Sequence, residues 1–176
     1  MITERLKNSI RNVPDFPIPG IQFKDVTTLF KDAECLGILS DTLYDFYRDK
    51  GITKVVGIES RGFIMAPVLA ARLRAGFVPV RKPGKLPAEV FEEIYSKEYG
   101  TDAIQIHRDA LDANDVVLIH DDLLATGGTM LAACNLIKKF NPQSIMINFI
   151  IELEELKGRE LFDASIKIDS IIKFPV

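Results

Sequence analysis

Short apolar runs alternate with longer, helix-like segments along most of the chain, from Lys54 to Phe174. The apolar runs include VVGI, GFVPV, VVLI and SIMINFIIEL. Runs that are apolar throughout are typical of parallel strands buried on both faces, with helices as the crossovers between them. The alternation therefore predicts an α/β fold with a mostly parallel central sheet flanked by helices.

Two segments depart from this alternation. VPDFPIPGIQFKDVT follows a short amphipathic helix predicted over residues 3–12, and its prolines predict an ordered extended loop. Residues 82–108, approximately, begin polar and end in the alternating DAIQIHR, which predicts a mobile loop or hairpin. The length of 176 residues suits one domain with a substantial core, so we predict a single domain over 1–176.

Charge and composition argue against several classes of partner. The formal net charge is -3 without a basic tail, which gives little support to a nucleic-acid partner. The first ten residues have no apolar centre, and no apolar run reaches the ~20 residues of a membrane helix, so we expect neither a signal peptide nor a membrane partner. Cys35 and Cys134 lie in helix-like settings and are interpreted as buried thiols, which favours the cytoplasm.

The stretch VVLIHDDLLATGGTM carries the strongest chemical signal. Asp121 and Asp122 follow a buried strand, and ligands of open α/β sheets bind beyond the carboxyl ends of strands. Paired carboxylates can bind hydroxyls, while glycines, threonines and a helix N-terminus can hold a phosphate. Together they suit a phosphorylated sugar. The alternative is a glycine-rich helix cap beside solvated acids; Gly-Lys-Ser/Thr and G-x-G-x-x-G motifs are both missing from the stretch.

At this point the sequence resembles a known family. VVLIHDDLLATGGTM is similar to the phosphoribosyl-diphosphate motif of type I phosphoribosyltransferases, and LLATGGT to that of the adenine phosphoribosyltransferases in particular. PDFPIPGIQFKDVTTLFKD resembles the family's N-terminal hood, here about residues 1–31. GIESRGFIMAPVLA, VRKPGKLP, YSKEYGTDAIQIHRDAL and LKGRELF match further segments in order.

The resemblance implies a role for each segment that binds 5-phospho-α-D-ribose 1-diphosphate (PRPP). Asp121 and Asp122 would bind the ribose 2′ and 3′ hydroxyls. The 5′-phosphate would be bound by Ala125, Thr126, Gly127, Gly128 and Thr129. The pyrophosphate would be bound by Glu59, Ser60, Arg61, Arg81, Lys82, Lys85 and Tyr99. A cis peptide is implied between Glu59 and Ser60, and Arg61 would also line the base pocket.

The resemblance also implies how the base is bound and activated. Glu98 would be the general acid/base that exchanges a proton with the purine ring as N9 bonds to C1′, with Arg61 as the second catalytic residue. In the hood, the backbone of Gln22 would contact the exocyclic amine and N1 of adenine, and Phe23 would pack on the ring. Lys24 stands beside them where many members have arginine.

Each segment has an ordinary structural interpretation as well. Ser60 is a common type of helix cap, which would leave Arg61 in a solvated first turn. Arg81, Lys82 and Lys85, a basic cluster, could belong to an ordinary charged surface, and Glu98 to an ordinary polar loop. Phe23 could be an aromatic residue of the core. His120 replaces the family's usual aliphatic residue, and we interpret it as a buried core histidine rather than a residue that tunes the acids.

The implied reaction is adenine plus PRPP giving AMP plus diphosphate, a step of purine salvage. Mg²⁺ would accompany PRPP, and few protein ligands are expected because substrate oxygens and water supply most of its octahedron. The family resemblance also implies a homodimer. Two alternatives stay open here: a type I transferase for another base, and a regulator that binds PRPP or AMP without catalysis.

Overall fold

A computed structural model of the protein describes residues 2–96 and 100–175, and the chain divides into two compact units, residues 1–46 and 47–176. In chain order, the first unit contains α1 (Ile2–Ser9), β1 (Arg11–Pro14), β2 (Gln22–Asp25), α2 (Thr27–Phe30) and most of α3 (Ala33–Tyr47). The second contains β3 (Lys54–Ile58), α4 (Gly62–Leu73), β4 (Gly76–Val80), β5 (Val90–Ser96), β6 (Thr101–His107), β7 (Val116–Leu124), α5 (Gly128–Lys138), β8 (Ser144–Leu153), two 3₁₀ turns (Glu154–Leu156 and Gly158–Leu161) and β9 (Lys167–Phe174).

The proline-rich segment of the first unit is a small hairpin rather than only an extended loop. β1 and β2 pair in antiparallel fashion, with Val13 opposite Phe23 and Pro14 opposite Gln22. Pro14 ends the first strand, and Pro17 and Pro19 lie in the connection, so the ladder loses few donors. The predicted helix over 3–12 is correspondingly shorter, because it ends at Ser9.

The central sheet has the predicted parallel architecture. Its strand order is β4-β3-β7-β8-β9, and each neighbouring pair is parallel. α4 and α5 supply crossovers, and buried side chains of α5 pack with those of β3, β7 and β8 in one core. The α/β prediction is confirmed. Within residues 2–96 and 100–175, no helix combines the length and the apolarity needed to cross a membrane.

β7 is longer than the apolar run predicts. The run ends before His120, yet the strand continues to Leu124, with Asp121 opposite Phe149 and Leu123 opposite Ile151 of β8. On its other side, β7 stays in register with β3 only as far as His120 opposite Gly57. The adjacent acids therefore lie in a strand segment that passes the end of β3.

The stretch predicted as a loop or hairpin is an antiparallel hairpin of β5 and β6. Its register places Val90 opposite His107 and Ser96 opposite Thr101. Ile104 and Ile106 are buried in the core, because alternate residues of β6 face the sheet. An isolated bridge between Arg81 and Gln105 joins the end of β4 to this hairpin. The hairpin is therefore fixed to the edge of the unit that carries the basic cluster.

Candidate active site

The adjacent acids occupy different environments. The Asp122 side chain is 5% exposed and forms an ion pair with the Nε of Arg61. Asp121 accepts a hydrogen bond from the Asp122 amide at 2.8 Å. Burial and the charge of Asp122 raise the pKa of Asp121 well above its usual value. The repulsion between neighbouring carboxylates is thus reduced by one ion pair and by a shifted protonation equilibrium.

The connection from β3 to α4 lies against these acids. The peptide bond between Glu59 and Ser60 is cis, as the resemblance implied. A Cβ added at Gly62 would lie 3.0 Å from the carbonyl oxygen of His120 and 3.1 Å from Oδ1 of Asp121. The N-cap of α4 is Arg61, and no side-chain hydrogen bond caps that helix in the described chain, so the alternative role of Ser60 as a helix cap is not observed. Glycine at position 62 lets the helix start approach β7 closely.

Glu59 organises the basic cluster at the end of β4. Its carboxylate accepts hydrogen bonds from Nε of Arg81 at 3.1 Å and from the amide of Lys82 at 3.0 Å. The Arg81 guanidinium holds the pKa of Glu59 below its usual value. Arg81 also lies 5.9 Å from the ring centre of Phe63, whereas Lys85 is exposed. The Glu59 carboxylate is negatively charged and accepts hydrogen bonds, so it cannot itself bind an anion. Glu59 can assist an anion site only by orienting these cations and through its backbone.

A chain of polar contacts runs from Lys82 to the glycine-rich loop. The Lys82 ammonium contacts Asp102, which also accepts a hydrogen bond from the Tyr95 hydroxyl at 3.3 Å. The hydroxyl of Thr129 donates to that of Tyr95 at 3.1 Å. Burial alone would lower the pKa of Lys82, but the contacts with Asp102 and Tyr95 outweigh it and raise the pKa. Sequence reasoning missed Asp102 and Tyr95, which are separated from their partners by tens of residues.

The glycine-rich loop connects β7 to α5 with the geometry of an anion site. Gly127 is the N-cap of α5 and has φ +87°, a left-handed conformation that favours glycine. No side-chain cap is present at this helix start within the described chain. As in any α-helix, the first-turn amides, here including those of Gly128 and Thr129, have no intrahelical acceptor, so they can donate to a bound anion. Ala125 and Thr126 complete the turn, with Thr126 exposed.

The second 3₁₀ turn packs directly under this loop. A Cβ at Gly158 would lie 2.2 Å from the carbonyl oxygen of Ala125, and one at Gly127 would lie 2.8 Å from the carbonyl oxygen of Gly158. Arg159 fixes the turn, because its Nε and Nη2 donate to Glu152 at 3.0 and 2.6 Å. Its Nη1 also donates to the carbonyl of Ile168 at 2.7 Å. From the sequence alone, no role was assigned to Gly158, the glycine of LKGRELF.

His120 is buried behind the acids. Its Nδ1 lies 2.8 Å from Oδ1 of Asn148, and the Asn148 amide donates to the carbonyl of Asp169 at 3.4 Å. Nε2 has no hydrogen-bond partner among residues 2–96 and 100–175. Burial lowers the pKa of His120 to about 4, against weaker opposing contributions from Asn148 and Asp122. The side chain is thus a neutral core histidine over the physiological range.

This shift makes stability depend on pH. The unfolded chain binds the histidine proton below about pH 6.5, while the native state resists it down to about pH 4, so stability is lost as the pH falls through this window. Between pH 7 and pH 5 we expect the wild type to lose about 2 kcal/mol more than a His120→Val variant. Urea unfolding at both pH values measures the difference. Equal losses of unfolding free energy in the wild type and the variant would contradict this expectation.

The residues implied in adenine binding lie on β2 of the first unit. The Phe23 ring packs edge-on against Phe16, with centroids 5.1 Å apart, so it is part of a local aromatic pair. Lys24 donates to Oδ1 of Asn12 at 2.9 Å, and Asn12 donates to the side chain of Gln22 at 2.7 Å. These contacts order the side chains on this part of the hairpin.

Glu98 and Tyr99, the predicted loop residues, lie outside the described part of the chain. The strands that flank them end at Ser96 and begin again at Thr101.

Within the residues that the structure describes, no group of three or more His, Cys, Asp or Glu side chains forms a metal cluster.

One edge of the sheet of the second unit therefore combines paired acids, a glycine-rich loop at a helix start and a basic cluster. The acids suit hydroxyl groups, and the basic cluster and the amide-rich loop each suit an anion. This combination defines a class of α/β protein that binds a sugar carrying more than one phosphate group.

Comparison with known proteins identifies the family. The profile described as "Phosphoribosyl transferase domain" matches residues 27–176. Adenine phosphoribosyltransferase of Bacteroides thetaiotaomicron is 66% identical over 172 residues, which cover 98% of each chain. The crystal structure of the enzyme from Rhodothermus marinus has a TM-score of 0.92 at 47% identity and covers 98% of each chain. That from Saccharomyces cerevisiae, complexed with D-2,5-dideoxy-2,5-imino-altritol 1,6-bisphosphate and adenine, has a TM-score of 0.91 at 38% identity and covers 97% of this chain and 98% of that one. The chain belongs to the adenine phosphoribosyltransferase family.

Proposed function

We propose that the protein transfers the phosphoribosyl group of PRPP to N9 of adenine, forming AMP and diphosphate in purine salvage. The observation that carries this proposal is that the Asp121–Asp122 pair, the glycine-rich loop and the basic cluster all lie at the carboxyl ends of neighbouring parallel strands, β7 and β4 on either side of β3. The yeast relative, whose structure contains adenine and a bisphosphate, supports the same pair of substrates.

The ribose 5-phosphate part of PRPP would bind at the end of β7. Asp121 and Asp122 would accept hydrogen bonds from the 2′ and 3′ hydroxyls, and the ion pair with Arg61 would hold the Asp122 side chain in place. The loop from Ala125 to Thr129 would donate its amides and threonine hydroxyls to the 5′-phosphate. Because the sugar is held at both ends, C1′ is presented to the base in a fixed orientation.

The pyrophosphate would leave toward the cluster of Arg81, Lys82 and Lys85. Cations there reduce the cost of the negative charge that develops on the leaving group. Glu59 contributes by orienting Arg81, while the backbone from Glu59 to Arg61 would contact the diphosphate. Mg²⁺ would enter with PRPP as part of the substrate, adding further charge neutralisation, with its ligands mainly from PRPP oxygens and water.

Adenine selectivity would come from the hood, and proton transfer from the loop. A carbonyl of Gln22 that accepts from the exocyclic amine would face an acceptor in a 6-oxo purine, a mismatch that costs ~1–3 kcal/mol. Phe23 would pack on the ring, with Lys24 beside it. Glu98 would take part in proton exchange as the N9–C1′ bond forms, and Tyr99 would cover the pyrophosphate.

A single assay tests this function. Purified protein is mixed with PRPP and Mg²⁺, and nucleotide formation is measured with adenine, guanine and hypoxanthine in turn. We expect AMP formation with adenine and little turnover of either 6-oxo purine. Comparable turnover of guanine would indicate a different transferase, and PRPP binding without diphosphate release would indicate a regulator.

We further propose that the protein is a cytoplasmic homodimer. Its buried free cysteines, Cys35 and Cys134, suit a reducing compartment. Ile64 and Val68 are 40% and 41% exposed one turn apart on α4, and Phe77 of the edge strand β4 is 38% exposed. Exposed apolar side chains on adjoining elements favour burial against a second copy.

Charged substitutions test this interface. We expect Ile64→Asp combined with Val68→Asp to shift the molar mass measured by light scattering from dimer to monomer, because two carboxylates would be desolvated in each copy. Leu156→Asp, at a side chain 47% exposed on a 3₁₀ turn, is the matched control and should remain dimeric. A dimer that persists in the double variant would contradict the assignment of α4.

A further inference from the structure

The lysine proposed to receive pyrophosphate already faces a carboxylate. The Lys82 ammonium contacts Asp102 of β6, and the side chains are 40% and 20% exposed. Glu59 lies on the other side of the cluster, hydrogen-bonded to Arg81 and to the Lys82 amide. Asp102 is thus the acidic side chain that contacts the lysine's charged end, at the place where an anionic group is to bind.

Asp102 is held in this position by its surroundings. One of its oxygens accepts a hydrogen bond from the Ala103 amide at 2.9 Å, and the other accepts from the Tyr95 hydroxyl. Tyr95 lies directly opposite Asp102 in the hairpin register and receives the hydrogen bond of Thr129. The carboxylate is therefore fixed near the turn end of the hairpin and connected to the 5′-phosphate loop.

An anion at Lys82 must compete with this carboxylate. Ion pairs that are partly exposed are weak in net terms, and pyrophosphate carries several negative charges, so the exchange of Asp102 for pyrophosphate at Lys82 is favourable. A carboxylate that stays nearby lowers the local positive potential and weakens the binding of any anion there. It also facilitates the release of diphosphate as product.

We propose that Asp102 is an internal counter-anion for Lys82, positioned by Tyr95, which occupies the lysine in the empty site and limits its affinity for diphosphate. The proposal rests on the proposed assignment of Lys82 to the pyrophosphate site. Asp102 acts here through Lys82 and is a positioning residue rather than a catalytic one.

The test is the affinity of the full-length protein for Mg²⁺-diphosphate, measured by calorimetry. Asp102→Asn keeps the shape and one acceptor but removes the charge, so we expect the Kd to fall about three- to tenfold. The inhibition constant of diphosphate against PRPP should fall by the same factor, with the KM for adenine unchanged. Asp109→Asn, which removes an equal charge from an exposed position after β6, should change neither constant.

A double-mutant cycle separates this inference from the site assignment. In a Lys82→Gln background, the effect of Asp102→Asn should disappear, because Asp102 acts through the lysine. If Lys82→Gln itself leaves diphosphate affinity unchanged, the pyrophosphate site is assigned wrongly. If Lys82→Gln weakens binding but Asp102→Asn does not tighten it, the counter-anion inference alone is wrong. Asp102→Ala, measured with its thermal unfolding, provides a second charge removal should the asparagine variant fold poorly.

Discussion

Gly158→Ala is expected to lower kcat/KM for PRPP about 10- to 100-fold, since a displacement of about 1 Å in a positioning loop can cost that much. The added methyl would lie 2.2 Å from the carbonyl oxygen of Ala125 and 2.9 Å from Cδ1 of Leu124. The 3₁₀ turn cannot yield easily. Arg159 fixes the turn through Glu152, and Gly127 is in contact with the turn from the loop side. The loop from Ala125 to Thr129, which is proposed to bind the 5′-phosphate, is therefore expected to move.

The loss should appear mainly in the KM for PRPP, with about 1–3 kcal/mol of stability lost through overpacking. Steady-state kinetics with PRPP varied and urea unfolding measure the two effects. Gly37→Ala is the matched control, because a Cβ there meets no described atom within 4 Å and alanine favours the helix interior. A Gly158→Ala enzyme with a PRPP KM within twofold of wild type would show that the turn does not position the loop.

The central sheet could be predicted because its signal is local. Buried parallel strands need apolar side chains on both faces, and β8 matches its predicted bounds from Ser144 to Leu153 for that reason. The length of β7 was underestimated, because strands pair through backbone hydrogen bonds, which do not require apolar side chains. His120 and the acids interrupt the apolar pattern, while the ladder with β8 continues beside them.

The candidate site was predictable where its groups are adjacent in sequence. Acids, glycines and threonines stand in one continuous stretch of β7 and α5, and their chemistry alone indicates a sugar phosphate. The ion pair of Asp122 with Arg61 joins two such stretches, and only the parallel register of β3 and β7 brings them together.

The polar contacts that support the site could not be predicted. Asp102 is 20 residues from Lys82, and Tyr95 is 34 residues from Thr129. Side chains at such separations meet through the folding of the hairpin against the sheet, and no spacing in the sequence encodes that contact. The Arg159–Glu152 pair, which fixes the turn under the glycine-rich loop, spans only seven residues, but the irregular backbone between the end of β8 and the second 3₁₀ turn sets it.

Glu98→Gln is expected to lower kcat about 10²- to 10⁴-fold, the usual contribution of a positioned proton-transfer group. When N9 of neutral adenine bonds to C1′, the purine becomes positively charged and must lose a proton. Glutamine keeps the size and polarity of the side chain but cannot exchange that proton. In the proposed site the acids, the loop and the cations bind PRPP, so KM values should change little.

The pH profile distinguishes proton transfer from a structural effect. In the wild type, kcat should depend on the ionisation of Glu98, and this dependence should vanish in the glutamine variant along with most of the rate. Glu89→Gln is the matched control, since Glu89 is exposed just before β5 and undergoes the same chemical change. Near-normal kcat in Glu98→Gln would move proton transfer to solvent or to another group. A raised KM with normal kcat would make Glu98 a binding residue instead, because an interaction shared by ground and transition states affects KM alone.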